Sequence, residues 1–195
     1  MRLFRISGAL LCAIVVPCLV GADSVARADD STAMRPWADA HLLKDNGATA
    51  AFSFQYGGVP SKELLPAWDA TQTEKDYRIT RTFTDAKTGL RVDCDIALLD
   101  GYDSVEWVVR LTNTGNTDTP LIENLLALDA AMEGLGGEVL VHHSLGDSNS
   151  EKSFAPVLDV FAADRRDSLE FSPSAGRSSE DHLPFFNLDG RDHGF

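Results

Sequence analysis

In LRVDCDIAL (90–98), Leu90, Val92, Cys94, Ile96 and Leu98 share one parity while Arg91, Asp93 and Asp95 hold the other. SVEWVVRLTN (104–113) does the same, with Val105, Trp107, Val109 and Leu111 alternating with Glu106, Arg110 and Thr112. Successive side chains of an extended chain point to opposite faces, so a period of two predicts half-buried antiparallel strands rather than helices.

Turn chemistry spaces these strands closely. DAKTG (85–89) joins YRITRTFT (77–84) to the strand at 90, DGYD (100–103) leads to the next, and TGNTDTP (114–120) leads into LIENLLALDAAM (121–132). Gly and Asn at such points supply the positive φ that tight turns need. EVLVHH (138–143), APVLDVFA (155–162), SLEFS (168–172) and PFFNL (184–188) are expected as further strands, and the polar SPSAGRSSED (172–181) as a loop. The one helical signal is a turn at SKELL (61–65), with Ser61 as cap and Pro66 as stop. Many short strands at this spacing predict an all-β fold, an antiparallel β-sandwich or barrel.

Residues 1–28 have another logic. Arg2 and Arg5 precede the apolar ISGALLCAIVVPCLVG (6–21), and ARA (26–28) offers a small-residue cleavage site. This is the pattern of a secretory signal peptide, about 16 apolar residues being short of the roughly 20 that span a bilayer. Export to a periplasmic or extracellular compartment is therefore expected, with a lead-in segment at 29–47 and the β domain at 48–195. Cleavage after Ala28 leaves 14 basic and 29 acidic residues and moves the formal net charge from −13 to −15. So acidic a surface repels phosphate backbones and anionic headgroups, which disfavours nucleic acid and membrane surfaces as partners and leaves neutral ligands such as sugars open. Only Cys94 remains after cleavage, so no intrachain disulfide framework is expected.

No G-x-S-x-G elbow, P-loop, G-x-G-x-x-G or C-x-x-C occurs, and no cofactor is expected. HHSLGD (142–147) is the most suggestive cluster. Adjacent histidines on a strand face opposite ways, which is poor geometry for one metal, so no metal site is expected; one His packing and the other capping the loop is the default. Asp93 and Asp95 share a face, but general acids must flank a cleft, and a solvated sheet face is the simpler account. DNG (45–47) and DGRD (189–192) lack the spaced ligands of a calcium loop.

Five blocks in order carry a resemblance: FSFQYGGVPSKELLPAW (52–68), TGLRVDCD (88–95), VEWVVRLTNTGNTDTPLIENLLALD (105–129), HHSLGD (142–147) and PFFNLDG (184–190). Together they resemble the N-terminal domain of α-galactosidase-type enzymes of glycoside hydrolase family 36. The resemblance implies a large antiparallel two-sheet β-sandwich, or supersandwich, packed against a following (β/α)₈ barrel. In such enzymes that barrel carries the two aspartates of a retaining mechanism. A barrel takes about 250 residues and none is present here, so the resemblance implies a sandwich incomplete at its C-terminus, with no catalytic residue and no hydrolytic activity of its own. It further implies that the loop HHSLGDSN (142–149) helps wall the sugar site. His142, His143 and Asp147 would then bond the hydroxyls of an α-galactoside or related carbohydrate, and Gly146 would let the backbone approach. Ser153 before Phe154 departs from the family pattern, which expects an acidic residue beside the aromatic.

Two other readings of the residues stay open. A stand-alone carbohydrate-binding module needs an exposed aromatic platform. Of Trp37, Trp68 and Trp107, the last alternates onto an apolar face and belongs to the core, leaving Trp68 and the tyrosines. A structural or interaction domain would instead use its sheet edges.

Overall fold

The computed structural model describes residues 34–44, 46–99, 104–131, 138–161 and 168–190. The signal peptide, the start of the lead-in segment, the turn at 100–103 and the last five residues lie outside them, as do Asp45 of DNG and Arg191-Asp192 of DGRD.

The all-β antiparallel class expected from the alternation is what the structure shows, and its described strands fall into three sheets. The chain forms two compact units that divide between Ala130 and Ala131. In the first, β1 (Ser53–Tyr56), β2 (Val59–Pro60) and β7 (Ile122–Leu126) form one sheet in the order β2-β1-β7. Its larger sheet, in the order β3-β4-β5-β6, joins β3 (Asp69–Lys75), β4 (Arg78–Thr84), β5 (Leu90–Leu99) and β6 (Ser104–Asn113). In the second unit, β8 (Val139–Leu145) lies between β10 (His182–Gly190) and β9 (Pro156–Phe161).

The period-two pattern of β5 becomes burial. Leu90, Val92, Cys94 and Ile96 are all buried, and Arg91, Asp93 and Asp95 are half-buried. At the strand end the alternation slips, and Ala97 is buried while Leu98 is only half-buried. The polar face is no bare solvated surface. Thr80 and Thr82 hydroxyls donate to Asp95 and Asp93 at 2.6 and 2.7 Å, Arg91 donates to Asp93 at 2.9 Å, and Arg110 pairs with Asp95. Each carboxylate is committed to cross-strand or neighbouring partners, which leaves neither placed as a general acid.

The other face of this sheet joins the core of the first unit, where Phe52, Phe54, Leu65, Phe83 and Val105 are fully buried. Two polar links tie its sheets together. Tyr56 donates to Thr88 at 2.6 Å and Thr88 to Asp85 at 2.7 Å, while Trp107 Nε1 donates to the Ala127 carbonyl at 2.9 Å. The DAKTG turn requires its glycine. Gly89 sits at φ +80°, and a Cβ there would lie 2.6 Å from the Gly115 amide nitrogen.

Three local expectations are corrected. Ser61 does not cap: it is the first residue of α2 (Ser61–Leu64), Pro60 holds the cap position, and the Ser61 hydroxyl accepts the Phe54 amide at 3.0 Å. Pro66 does not end the run, since it sits in a 3₁₀ turn, Leu65–Ala67. SLEFS (168–172) is irregular rather than a strand. The lead-in segment also holds helix: α1 (Met34–Ala38) continues as a π turn, Asp39–Leu43, closed by Lys44 N–H to the Asp39 carbonyl at 2.8 Å. Its Trp37 ring meets Trp107 at 5.8 Å.

Candidate functional site

The end of β8 and the loop from β8 to β9 carry the predicted site residues: His142 and His143 on the strand, Gly146 and Asp147 in the loop. Strand parity separates the histidines: His143 is buried on the face that holds Val139 and Val141, and His142 is exposed on the other. His143 Nε2 meets Asp159 Oδ2 at 2.8 Å, and its ring stacks on Phe171, with centroids 4.4 Å apart. Phe171 in turn meets His182 at 5.7 Å and the edge of Phe186 at 6.4 Å. The aromatic cluster therefore adjoins the small core of Val139, Val141 and Leu188.

Beyond β8 the loop folds on its own side chains. Asp147 Oδ1 accepts the Asn149 amide at 3.0 Å and the Ser153 hydroxyl at 3.1 Å, and Ser153 Oγ accepts the amides of Ser148 and Ser150. Ser153 is thus the hub of this loop. The Asn149 amide first, and then the Ser153 hydroxyl, hold the Asp147 carboxyl below the usual aspartate value. Asn149 and Phe154 take positive φ, 52° and 62°, to close the turn.

A second loop, 172–181, is clamped to the first by backbone. Gly146 N–H donates to the Asp181 carbonyl at 2.8 Å, and Asp147 N–H to that of Ser179 at 2.7 Å. A Cβ on Gly146 would stand 2.1 Å from the Ser179 oxygen, so the missing side chain admits the neighbouring loop of the protein itself.

Between the loops lies an open groove of about 670 Å³, within the general size range of small-molecule sites. Ser148, Ser150 and Lys152 line one side; Glu170, Phe171, Asp181 and His182 line the other. Hydroxyls, carboxylates and a cation around an aromatic ring can bond a polyhydroxylated ligand and cover its apolar patches. The four predicted residues do not converge there: Gly146 and Asp147 shape the loop beside the groove, His143 lies behind Phe171, and His142 is on the opposite sheet face. Sequence reasoning missed Phe171 and His182. The available signal was an aromatic at 171 and a histidine at 182 flanking an otherwise polar stretch.

Among the described residues no group of three or more His, Cys, Asp or Glu side chains could hold a metal, and no helix is long and apolar enough to cross a membrane. No family model matches the chain, and neither a search of curated proteins nor one of solved structures returns a match.

Proposed function

We propose that this chain is the non-catalytic N-terminal β-sandwich portion of an exported α-galactosidase-like glycoside hydrolase, acting beside a (β/α)₈ barrel that the present sequence does not include. The observation that carries the reading is the order of the five resembling blocks. The all-β architecture supports it: the first block runs from Phe52 through β1 and α2, the second leads into β5, the third spans β6 and β7, and the last two fall on β8 and β10. The ligand class is an α-galactoside or related carbohydrate. A groove rich in hydroxyls and carboxylates around Phe171 suits a neutral polyol better than a phosphate ester, which the acidic surface repels.

In this reading the catalytic carboxylates belong to the barrel, which positions them about 5–5.5 Å apart for retention. The test is to extend the reading frame downstream of Phe195 and assay both products on an aryl α-galactoside. Turnover by the longer product and none by this chain is expected. A downstream sequence that encodes no barrel overturns the reading. Galactoside binding by this chain alone, with no barrel encoded, would favour the stand-alone carbohydrate-binding module.

A further inference from the structure

Among the described residues β3 is an edge strand with β4 as its sheet neighbour, and all seven of its residues are exposed. Asp69, Thr71, Thr73 and Lys75 stand opposite Thr84, Thr82, Thr80 and Arg78, extending the polar face of the sheet. Ala70, Gln72 and Glu74 stand opposite Phe83, Arg81 and Ile79, which are buried. The covering of the core therefore ends at β4, and β3 overhangs it. Its register with β4 is unbroken, and it contains no proline. Such an edge is a template for another strand.

The hairpin decides which backbone groups face outward. Asp76-Tyr77 is a two-residue turn, with Asp76 at φ 57°, and the closing pair of such a hairpin, here Lys75 and Arg78, exchanges both N–H···O bonds. Bonded and non-bonded pairs then alternate along an antiparallel ladder. Asp69, Thr71, Thr73 and Lys75 thus bond to β4, which turns the N–H and C=O groups of Ala70, Gln72 and Glu74 to the open edge.

We propose that β3 pairs antiparallel with β3 of a second copy of this chain, about a twofold axis through Gln72. That register sets Gln72 against the partner's Gln72 and Ala70 against the partner's Glu74, so every outward group finds a bond. It also sets Asp69 against the partner's Lys75 and Thr71 against the partner's Thr73. These are non-bonded pairs, where facing side chains come closest and opposite charges stabilise. Centring on Thr71 or Thr73 would bond only two of the three outward residues within the strand and would lose the Asp69–Lys75 contacts, and centring on Ala70 or Glu74 would bond only one. Lys75, which on a bare edge discourages pairing, becomes a partner for acid in this arrangement. Other edges suit the role less: β2, β9 and β10 contain Pro60, Pro156 and Pro184, β7 breaks at Asn124 (φ 49°), and β6 is buried or half-buried over most of its length.

Sedimentation velocity of the full chain over a concentration series tests this. The expected result is a concentration-dependent dimer; a chain that stays monomeric throughout overturns the proposal. Gln72→Pro removes an outward N–H and spares every β3–β4 bond, so it should abolish the dimer with the unfolding midpoint retained. Lys75→Asp should weaken dimerisation about tenfold by opposing like charges, and Asp69→Lys combined with Lys75→Asp should restore it. A dimer that persists in both single variants overturns the proposal. If Gln72→Pro unfolds the hairpin, the charge swap decides alone, and failure of the double variant to recover the dimer sinks the idea.

Discussion

The His143 ring lies parallel to Phe171, 5° between planes and 4.4 Å between centroids, while its Nε2 meets Asp159 at 2.8 Å. The ring face supplies packing and the ring edge a charge-assisted bond. His143→Ala should remove both and destabilise the second unit by about 2–4 kcal/mol, read as a lower urea midpoint. His143→Phe keeps the stack and gives up the bond, for a loss of about 1 kcal/mol. Equal losses in the two variants would assign the energy to Asp159 instead of to the stack.

Gly146 is the point where two loops touch through backbone alone. Since a Cβ would stand 2.1 Å from the Ser179 oxygen, Gly146→Ala must push the loops apart, at a cost of about 1–3 kcal/mol. Faster hydrogen exchange at the Gly146 and Asp147 amides is the expected mark, because their acceptors are Asp181 and Ser179. Wild-type protection in the variant would contradict the close approach.

Asp147 gives the loop an acid limit. Its carboxyl is held below the ordinary 3.8 by the Asn149 amide and then the Ser153 hydroxyl. A depressed folded value means the stabilisation is complete above 3.8 and is lost as pH falls through the folded value. A carboxyl NMR titration should place the Asp147 midpoint below 3.8, and the Asn149 amide should lose protection over the same acid range. Asp147→Asn should show no such transition. A midpoint at or above 3.8 in the wild-type chain would refute the bonding pattern.

The sheets were legible wherever burial is one-sided. Residues 90–96 alternate because one face meets the core and the other meets Thr80, Thr82 and Arg110, and both their strand character and their buried parity could be read directly. β3 was invisible for the opposite reason: DATQTEK is exposed on both faces, so no periodicity marks it, and only pairing to β4 makes it a strand. The helix at Met34–Ala38 lacks an acidic first turn, and Pro36 reads in the sequence as a breaker although the first turn of a helix tolerates it. At the candidate site, the opposite facing of His142 and His143 follows from strand parity. The stack with Phe171 did not, because residues 28 apart met through a loop without a repeating pattern. SLEFS alternates like a strand, yet its aromatic is used to cover a histidine.

Arg81 breaks the inward apolar pattern of β4, and its place explains the break. It is buried between Ile79 and Phe83, with its guanidinium carbon 5.2 Å from the Phe83 ring centroid and Nη1 donating to the Leu43 carbonyl at 2.9 Å. Carbonyls at the end of a helical segment have no donor within it, so a buried cation there stabilises both partners. Arg81→Met keeps the bulk but removes the donors, and should cost about 1.5–3 kcal/mol. The loss should be local. Trypsin should cut after Lys44 faster than in the wild type while amides of β5 stay protected, and Arg81→Lys, with one compact donor group in place of the fork, should fall between. An unchanged cleavage rate in Arg81→Met would mean that Trp37 against Trp107, and not Arg81, holds residues 34–44 to the sheet.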